Sequence, residues 1–190
     1  MASSLSGDRS ETQQAIHIAG GGLAGSEAAW QLAERGSRVV IHEMRPLRGT
    51  PAHRSSLLAE LVCSNTFKST EVSNAHGLLK AEMRALGSVI LRAADEARVP
   101  GGSALAVDRE VFAATVHRWV TGHPRINVVR EEVTELPSPG IVATGPLTSD
   151  ALSRDVARLV GGDHLYFYDA ISPIVLADSI DASKVFRASR

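Results

Sequence analysis

The residues of this chain best suited to chemistry are one thiol, one carboxylate and a set of closely spaced glycines. Cys63 is the only cysteine, and it opens the polar run 63–69, in which Ser64, Asn65, Thr66, Lys68 and Ser69 crowd hydrogen-bonding groups beside the sulfur. A thiolate is a nucleophile and a neighbouring lysine favours that form, whereas a position at a helix C-terminus acts the other way. A lone cysteine is also commonly a small buried core residue, so the residue types leave both readings of Cys63 open.

The glycines Gly20, Gly22 and Gly25 have the G-x-G-x-x-G spacing, with Ile16 and Ile18 alternating before them and an apolar helix pattern after them. In a strand, turn and helix of this kind the first glycine permits the tight turn. The second lets the backbone approach a pyrophosphate, and the third lets helix and strand pack closely. Gly20, Gly21, Gly22, Leu23, Ala24 and Gly25 therefore form the expected backbone cradle, with free N–H groups and the positive end of a helix dipole facing the phosphates. Glu43 follows Gly25 by 18 residues, at the end of a second apolar strand, 38–43. An acid there accepts hydrogen bonds from a ribose, although it can also be a plain strand-ending glutamate. Arg45 and Arg48 would favour a 2′-phosphate that Glu43 repels, so the adenosine end of FAD or NAD fits better.

These groups need a scaffold, and the hydrophobic pattern supplies one. Ala28, Ala29, Leu32 and Ala33 give the first helix its inner side, and Gly36 ends it. Pro46, Gly49 and Pro51 make a surface connection of 44–53, and 57–62 reads as one or two helical turns delivering Cys63. A long helix is expected from about Ala75 to Arg98, with Leu79, Met83, Leu86, Ile90, Ala93 and Ala97 as a core stripe. Asp108 is a good N-cap for another, bearing Val111, Phe112, Thr115, Val116 and Trp119 on its apolar side; Arg109 in its first turn reads as solvated. Residues 123–136 alternate as one strand or a bent pair, and 141–145 reads as a buried parallel strand. Its Gly145 would let backbone approach a cofactor, or simply ends the strand. Ser149 or Asp150 caps a last helix with Leu152, Val156 and Leu159 on one face, ended by Gly161 and Gly162. The run 164–175 gathers Tyr166, Phe167 and Tyr168 beside Asp169, able to flank a planar ring or to pack in a core.

With 190 residues, 44% hydrophobic and 22% charged, the composition is that of an ordinary globular domain. The formal net charge of −1 gives no overall case for nucleic acid or membrane surfaces, though a local basic patch is compatible with it. A single cysteine excludes an internal disulfide framework and suits a reducing cytoplasm. No apolar run approaches the roughly 20 residues of a membrane span. The first 14 residues lack the apolar core of a signal peptide and are expected to be a mobile tail. No zinc-ligand spacing, P-loop or G-x-S-x-G elbow is present.

Taken together, the glycine cradle, the 63–69 block, 104–110, 141–149, 164–175, 178–181 and 186–190 resemble the TrmFO family of folate- and FAD-dependent tRNA uracil-5-methyltransferases, relatives of the GidA flavoproteins. The cradle is shared by many flavoproteins; the cysteine block and the Tyr166–Asp169 segment are far more specific. The resemblance implies an α/β, Rossmann-like, three-layer FAD-binding fold with a parallel sheet over 15–190. Within it, 44–107 would carry the cysteine loop and an inserted helical substrate region. It further implies that FAD is reduced by NADH or NADPH, that 5,10-methylenetetrahydrofolate donates carbon, and that a T-loop uridine of tRNA becomes 5-methyluridine. Cys63 would be one of two functional cysteines, near the flavin; it attacks the base, adducts to the flavin or protects the reduced cofactor. Members of the family are considerably longer, so the second cysteine and much of the folate and tRNA surface are expected beyond Arg190, and these 190 residues alone are expected to be inactive. Two alternatives stay open: a GidA-like or generic FAD/NAD oxidoreductase, and a non-catalytic nucleotide-binding fragment.

Overall fold

The computed structural model describes residues 14–161 together with 180, 181, 183 and 184. The expected tail, apart from its last residue, and the aromatic run 164–175 lie outside the described residues. The chain forms β1 (Ile16–Ala19), α1 (Leu23–Glu34), β2 (Val39–His42), β3 (Thr66–Ser69), α2 (Ala75–Ala85), α3 (Val89–Glu96), β4 (Arg98–Val99), β5 (Ala104–Val107), α4 (Arg109–Gly122), β6 (Ile126–Val129), β7 (Gly140–Val142), a 3-10 turn (Gly145–Leu147) and α5 (Asp150–Val160).

β6, β2, β1 and β7 lie side by side in that order as one parallel sheet. Ile18 stands opposite Ile41, and with Val39 both are buried in the core that also takes in Ala29 and Ala33 of α1, five residues of α3, and Phe112, Val116 and Val120 of α4. The strands' alternation sends His17 and His42 to the opposite face, where His17 Nδ1 and His42 Nε2 are 2.8 Å apart. A second sheet, antiparallel in the order β3, β5, β4, carries the segment after Cys63. The expected α/β fold with a parallel sheet is thus present. No helix among the described residues is long and apolar enough to cross a membrane.

Local rules account for most element ends. Gly36 follows α1 with φ +94°, a backbone that disfavours any side chain. Asp108 caps α4 by accepting from the N–H groups of Glu110 and Val111, and Ser149 caps α5 through Leu152.

Four expectations need correction. The single helix over 75–98 is two, because Gly87 takes φ +76° and Ser88 starts a new N-cap by accepting from Leu91 N–H. Glu27 of α1 fixes the break, accepting from the Ser88 hydroxyl at 2.7 Å and the Ile90 N–H at 3.1 Å. α3 alone then enters the core, leaving Leu79 (55%) and Leu86 (67%) of the supposed core stripe exposed. The 57–62 run forms no helix: Leu58 and Ala59 are buried, but Ala59 has φ +53° and donates its N–H to the Gly21 carbonyl. Within 123–136 only Ile126–Val129 is a strand. Finally, among the described residues β7 is paired on one side only, and Ile141 and Val142 are exposed rather than buried, as is Leu159 on α5.

Candidate functional site

The parallel sheet reverses its order of addition between β1 and β7, and a cleft opens at the carboxyl ends of those strands. Ligands of open α/β sheets bind at such a switch point. The cleft, of about 290 Å³, is lined by Ala19–Ala24 on one side, by Ala143, Thr144 and Gly145 on another, and by the end of β2 with Glu43.

Each glycine of the turn meets a different steric demand. Gly20 has φ +99°, and a Cβ on it would lie 2.8 Å from the Ala143 carbonyl oxygen. A Cβ on Gly21 would come within 2.4 Å of Leu58 Cδ2, and one on Gly25 within 1.9 Å of the Gly20 carbonyl oxygen. Those positions are closed by the protein itself. Gly22 differs: a Cβ there would meet nothing within 4 Å, so its backbone faces the open cleft. Gly22 is also the N-cap of α1; it offers no side-chain cap, and the first turn holds no acidic residue. Among the described residues neither a side-chain cap nor a first-turn acid compensates the helix's positive end, an arrangement suited to an anion. Gly25 lies outside the cleft lining and serves the packing of α1 on β1, whereas Gly145, with φ +60°, lines the cleft and opens the 3-10 turn.

Glu43 is 5% exposed, and its carboxylate is fully engaged. Oε2 accepts from Gly21 N–H at 3.0 Å and Arg45 Nη2 at 3.2 Å; Oε1 accepts from Arg45 N–H at 3.0 Å and Nε at 2.9 Å. A carboxylate has about four lone-pair sites, and these four donors match that number. Burial would raise its pKa, but the hydrogen bonds and charge of Arg45, with the Gly21 N–H, outweigh burial and hold Glu43 below the usual carboxylate value. Arg45, 3% exposed, also reaches Glu60 Oε2 at 3.1 Å. Glu60 in turn accepts from Arg54 N–H, Ser55 N–H and the Ser55 hydroxyl. An acid–base–acid chain, buried at Glu43 and Arg45 and half-buried at Glu60, thus ties the end of β2 to the segment that runs toward Cys63. Arg48 pairs with Glu132.

Sequence reasoning missed Arg45, Glu60 and His53 as a unit, having read 44–53 as a surface connection. The available signal was the placement of Arg45 two residues after Glu43, which brings a fork of donors back onto the acid. His53 lines the cleft with Nδ1 2.6 Å from Thr50 Oγ1, and burial, then the Arg45 charge, lower its pKa.

Cys63 is exposed, which excludes the buried-core reading. It is not among the residues lining the cleft, though its neighbour Val62 is. The thiol sits on a short span between Leu61, which is buried, and Asn65, whose carbonyl accepts from Val107 N–H at 2.9 Å. No His, Cys, Asp and Glu cluster able to hold a metal ion occurs among the described residues.

A family model described as glucose inhibited division protein A matches residues 15–190. The chain is 61% identical over 178 residues to the methylenetetrahydrofolate–tRNA-(uracil-5-)-methyltransferase TrmFO of Geobacter sulfurreducens, covering 93% of this chain and 41% of that protein. It is 58% identical over 179 residues to the Bacillus subtilis protein of the same name, covering 94% and 41%. The chain thus spans about 41% of the length of these curated relatives. Among solved structures, Aquifex aeolicus GidA is similar in fold, with a TM-score of 0.52 and 17% identity over 65% of this chain and 20% of that one.

Proposed function

This chain belongs to the glucose inhibited division protein A family, and from that premise we propose that the whole protein is a folate- and FAD-dependent tRNA (uracil-5-)-methyltransferase. The observation that carries the proposal is the identity to relatives named for that reaction, which extends over nearly the whole chain. The cleft supports it at the level of cofactor class. It lies at the sheet's switch point, it has an uncapped helix N-terminus, and the protein's own atoms fill the space beside Gly20, Gly21 and Gly25 while leaving Gly22 open.

Gly20, Gly21, Gly22, Leu23 and Ala24 would hold the diphosphate of FAD, with Gly25 keeping α1 close behind them, Glu43 would hold the adenosine ribose, and Gly145 would admit the cofactor along the end of β7. When bound, the flavin supplies the two electrons that turn a transferred methylene into a methyl group, drawn from NADH or NADPH, with 5,10-methylenetetrahydrofolate as carbon donor and tRNA as acceptor. Uracil C5 is a poor nucleophile until the ring is activated, and Cys63 is the thiol of this chain offered for the site. Glu43, kept ionised and anchored by Arg45, presents acceptors and no proton, as a binding group requires. We place the enzyme in the cytoplasm, where its reduced thiol and tRNA coexist.

The test uses a chain of the relatives' full length. It is expected to purify with a flavin spectrum and to form 5-methyluridine from unmodified tRNA, methylenetetrahydrofolate and reduced nicotinamide. Cys63→Ala should keep the flavin and lose methylation. Retained methylation would remove Cys63 from the mechanism, and a protein that binds no flavin would overturn the reading of the cradle.

A further inference from the structure

Lys80 is a buried cation, 5% exposed, on α2, a helix that otherwise shows mainly solvent-facing residues. No carboxylate pairs with it among the described residues. Its Nζ donates instead to two carbonyl oxygens, of Phe67 at 2.6 Å and of His76 at 2.8 Å. Burying an ammonium without a counter-ion is costly, so a methionine or leucine would be the simpler occupant if packing were all that was needed.

The Phe67 carbonyl belongs to an irregularity in the small sheet. Thr66 pairs with Ala106 and Ser69 with Ala104, so Phe67 and Lys68 on β3 together oppose Leu105 on β5. Two residues against one is a β-bulge. It sends the Phe67 ring edge-on against Phe112, at 5.3 Å between centroids, and puts Lys68 at φ +66°, a backbone unusual for a side chain of this kind. Just upstream, Asn65 is pinned to Val107, and Cys63 lies two residues before it on an exposed span. The bulge, held from α2, thus adjoins the Asn65 anchor of the span that bears the thiol.

We infer that Lys80 is a positioning residue for the Cys63 span, acting by clamping the Phe67–Lys68 bulge through its donors to Phe67 and His76. Its effect on turnover rests on the proposed function above, in which Cys63 takes part; its effect on the thiol's reactivity does not.

The flavin-loaded whole protein supplies the test, with Lys80→Met, which keeps the stem and removes the donors, and Lys80→Arg, which keeps donors. Two quantities are read: the rate of alkylation of the Cys63 peptide by iodoacetamide, followed by mass spectrometry, and kcat and KM for tRNA methylation. Lys80→Met is expected to change the alkylation rate at least about threefold and to lower kcat about tenfold or more, as small misplacements of reacting groups do, with flavin content and KM for tRNA little changed. Lys80→Arg should recover most of both. Parent-like alkylation and kcat in Lys80→Met would overturn the inference, and so would equal impairment of the arginine variant. If Lys80→Met does not fold, Lys80→Gln, with a shorter donor, is read by the same criteria. Should Cys63→Ser methylate normally, the thiol's role falls, and the clamp is then judged on the alkylation rate alone.

Discussion

Two groups of buried or half-buried side chains give the protein two separate pH windows. Burial, then neighbouring arginine charge, lowers the pKa of His53 and of His117 from the ordinary 6.5. The unfolded chain binds these protons more readily, so stability is fully present above about pH 6.5 and declines as pH falls toward the folded values. Glu43 and Glu60 are depressed below 4.5, the effect of burial being outweighed by the hydrogen bonds they accept. Their contribution is intact above that value and is lost only as pH falls further. Denaturant titrations at stepped pH should therefore show the double variant His53→Gln/His117→Gln flattened in the upper window alone. Glu60→Gln should flatten only the lower one, and a decline in the histidine variant equal to the parent's between pH 4.5 and 6.5 would contradict the assignment. Residue types alone marked Glu43 but not its partners, because a carboxylate's spacing from a glycine turn is visible in one dimension. The return of Arg45 onto Glu43 and across to Glu60 depends on a fold of the 44–60 loop that no periodicity encodes. Cys63 was undecidable for a similar reason: exposure is settled by the anchors on either side, Leu61 and Asn65, and not by the cysteine's own neighbours in sequence.

At the scale of elements, the glycine turn makes a contrast that separates ligand from scaffold. Gly22→Ala adds a methyl group where the protein has no atom within 4 Å, at a backbone φ of −72° that alanine adopts freely. Its melting temperature is expected to match the parent's while flavin affinity drops, since the methyl occupies the diphosphate's approach. Gly25→Ala drives a Cβ to 1.9 Å from the Gly20 carbonyl oxygen, so α1 must lift from β1. That variant should lose about 1–3 kcal/mol of stability as well as the flavin. Thermal melts and flavin titrations of the two variants decide the matter, and normal flavin binding by Gly22→Ala would refute the cradle. Asp108→Ala offers an independent check on α4, with an expected cost of about 1 kcal/mol for two freed N–H groups. Strand, turn, helix and the capping residues were legible because each is a local rule. The break between α2 and α3 was not: Leu79 to Ala97 keeps helical spacing across Gly87, and only Glu27, 61 residues from Ser88 in sequence, reveals that a second helix begins there.

At the scale of the whole molecule, the proposed cofactor cleft draws together residues far apart in sequence. Every group assigned to the diphosphate and ribose comes from described residues between Ala19 and Gly145, on a sheet whose strands are in register. Among the described residues β7 is paired on one side only and Leu79 and Leu86 face solvent on α2, and the chain spans about 41% of the relatives' length. On the proposed reading, cofactor recognition and turnover are expected to separate in these 190 residues. Isothermal titration with ADP, the nucleotide half of the cofactor, is expected to show binding that Gly22→Ala weakens. The same preparation, given FAD, methylenetetrahydrofolate, reduced nicotinamide and unmodified tRNA, is expected to yield no 5-methyluridine. Formation of that nucleoside would contradict the separation of recognition from turnover, whereas failure to bind ADP would overturn the reading of the cradle.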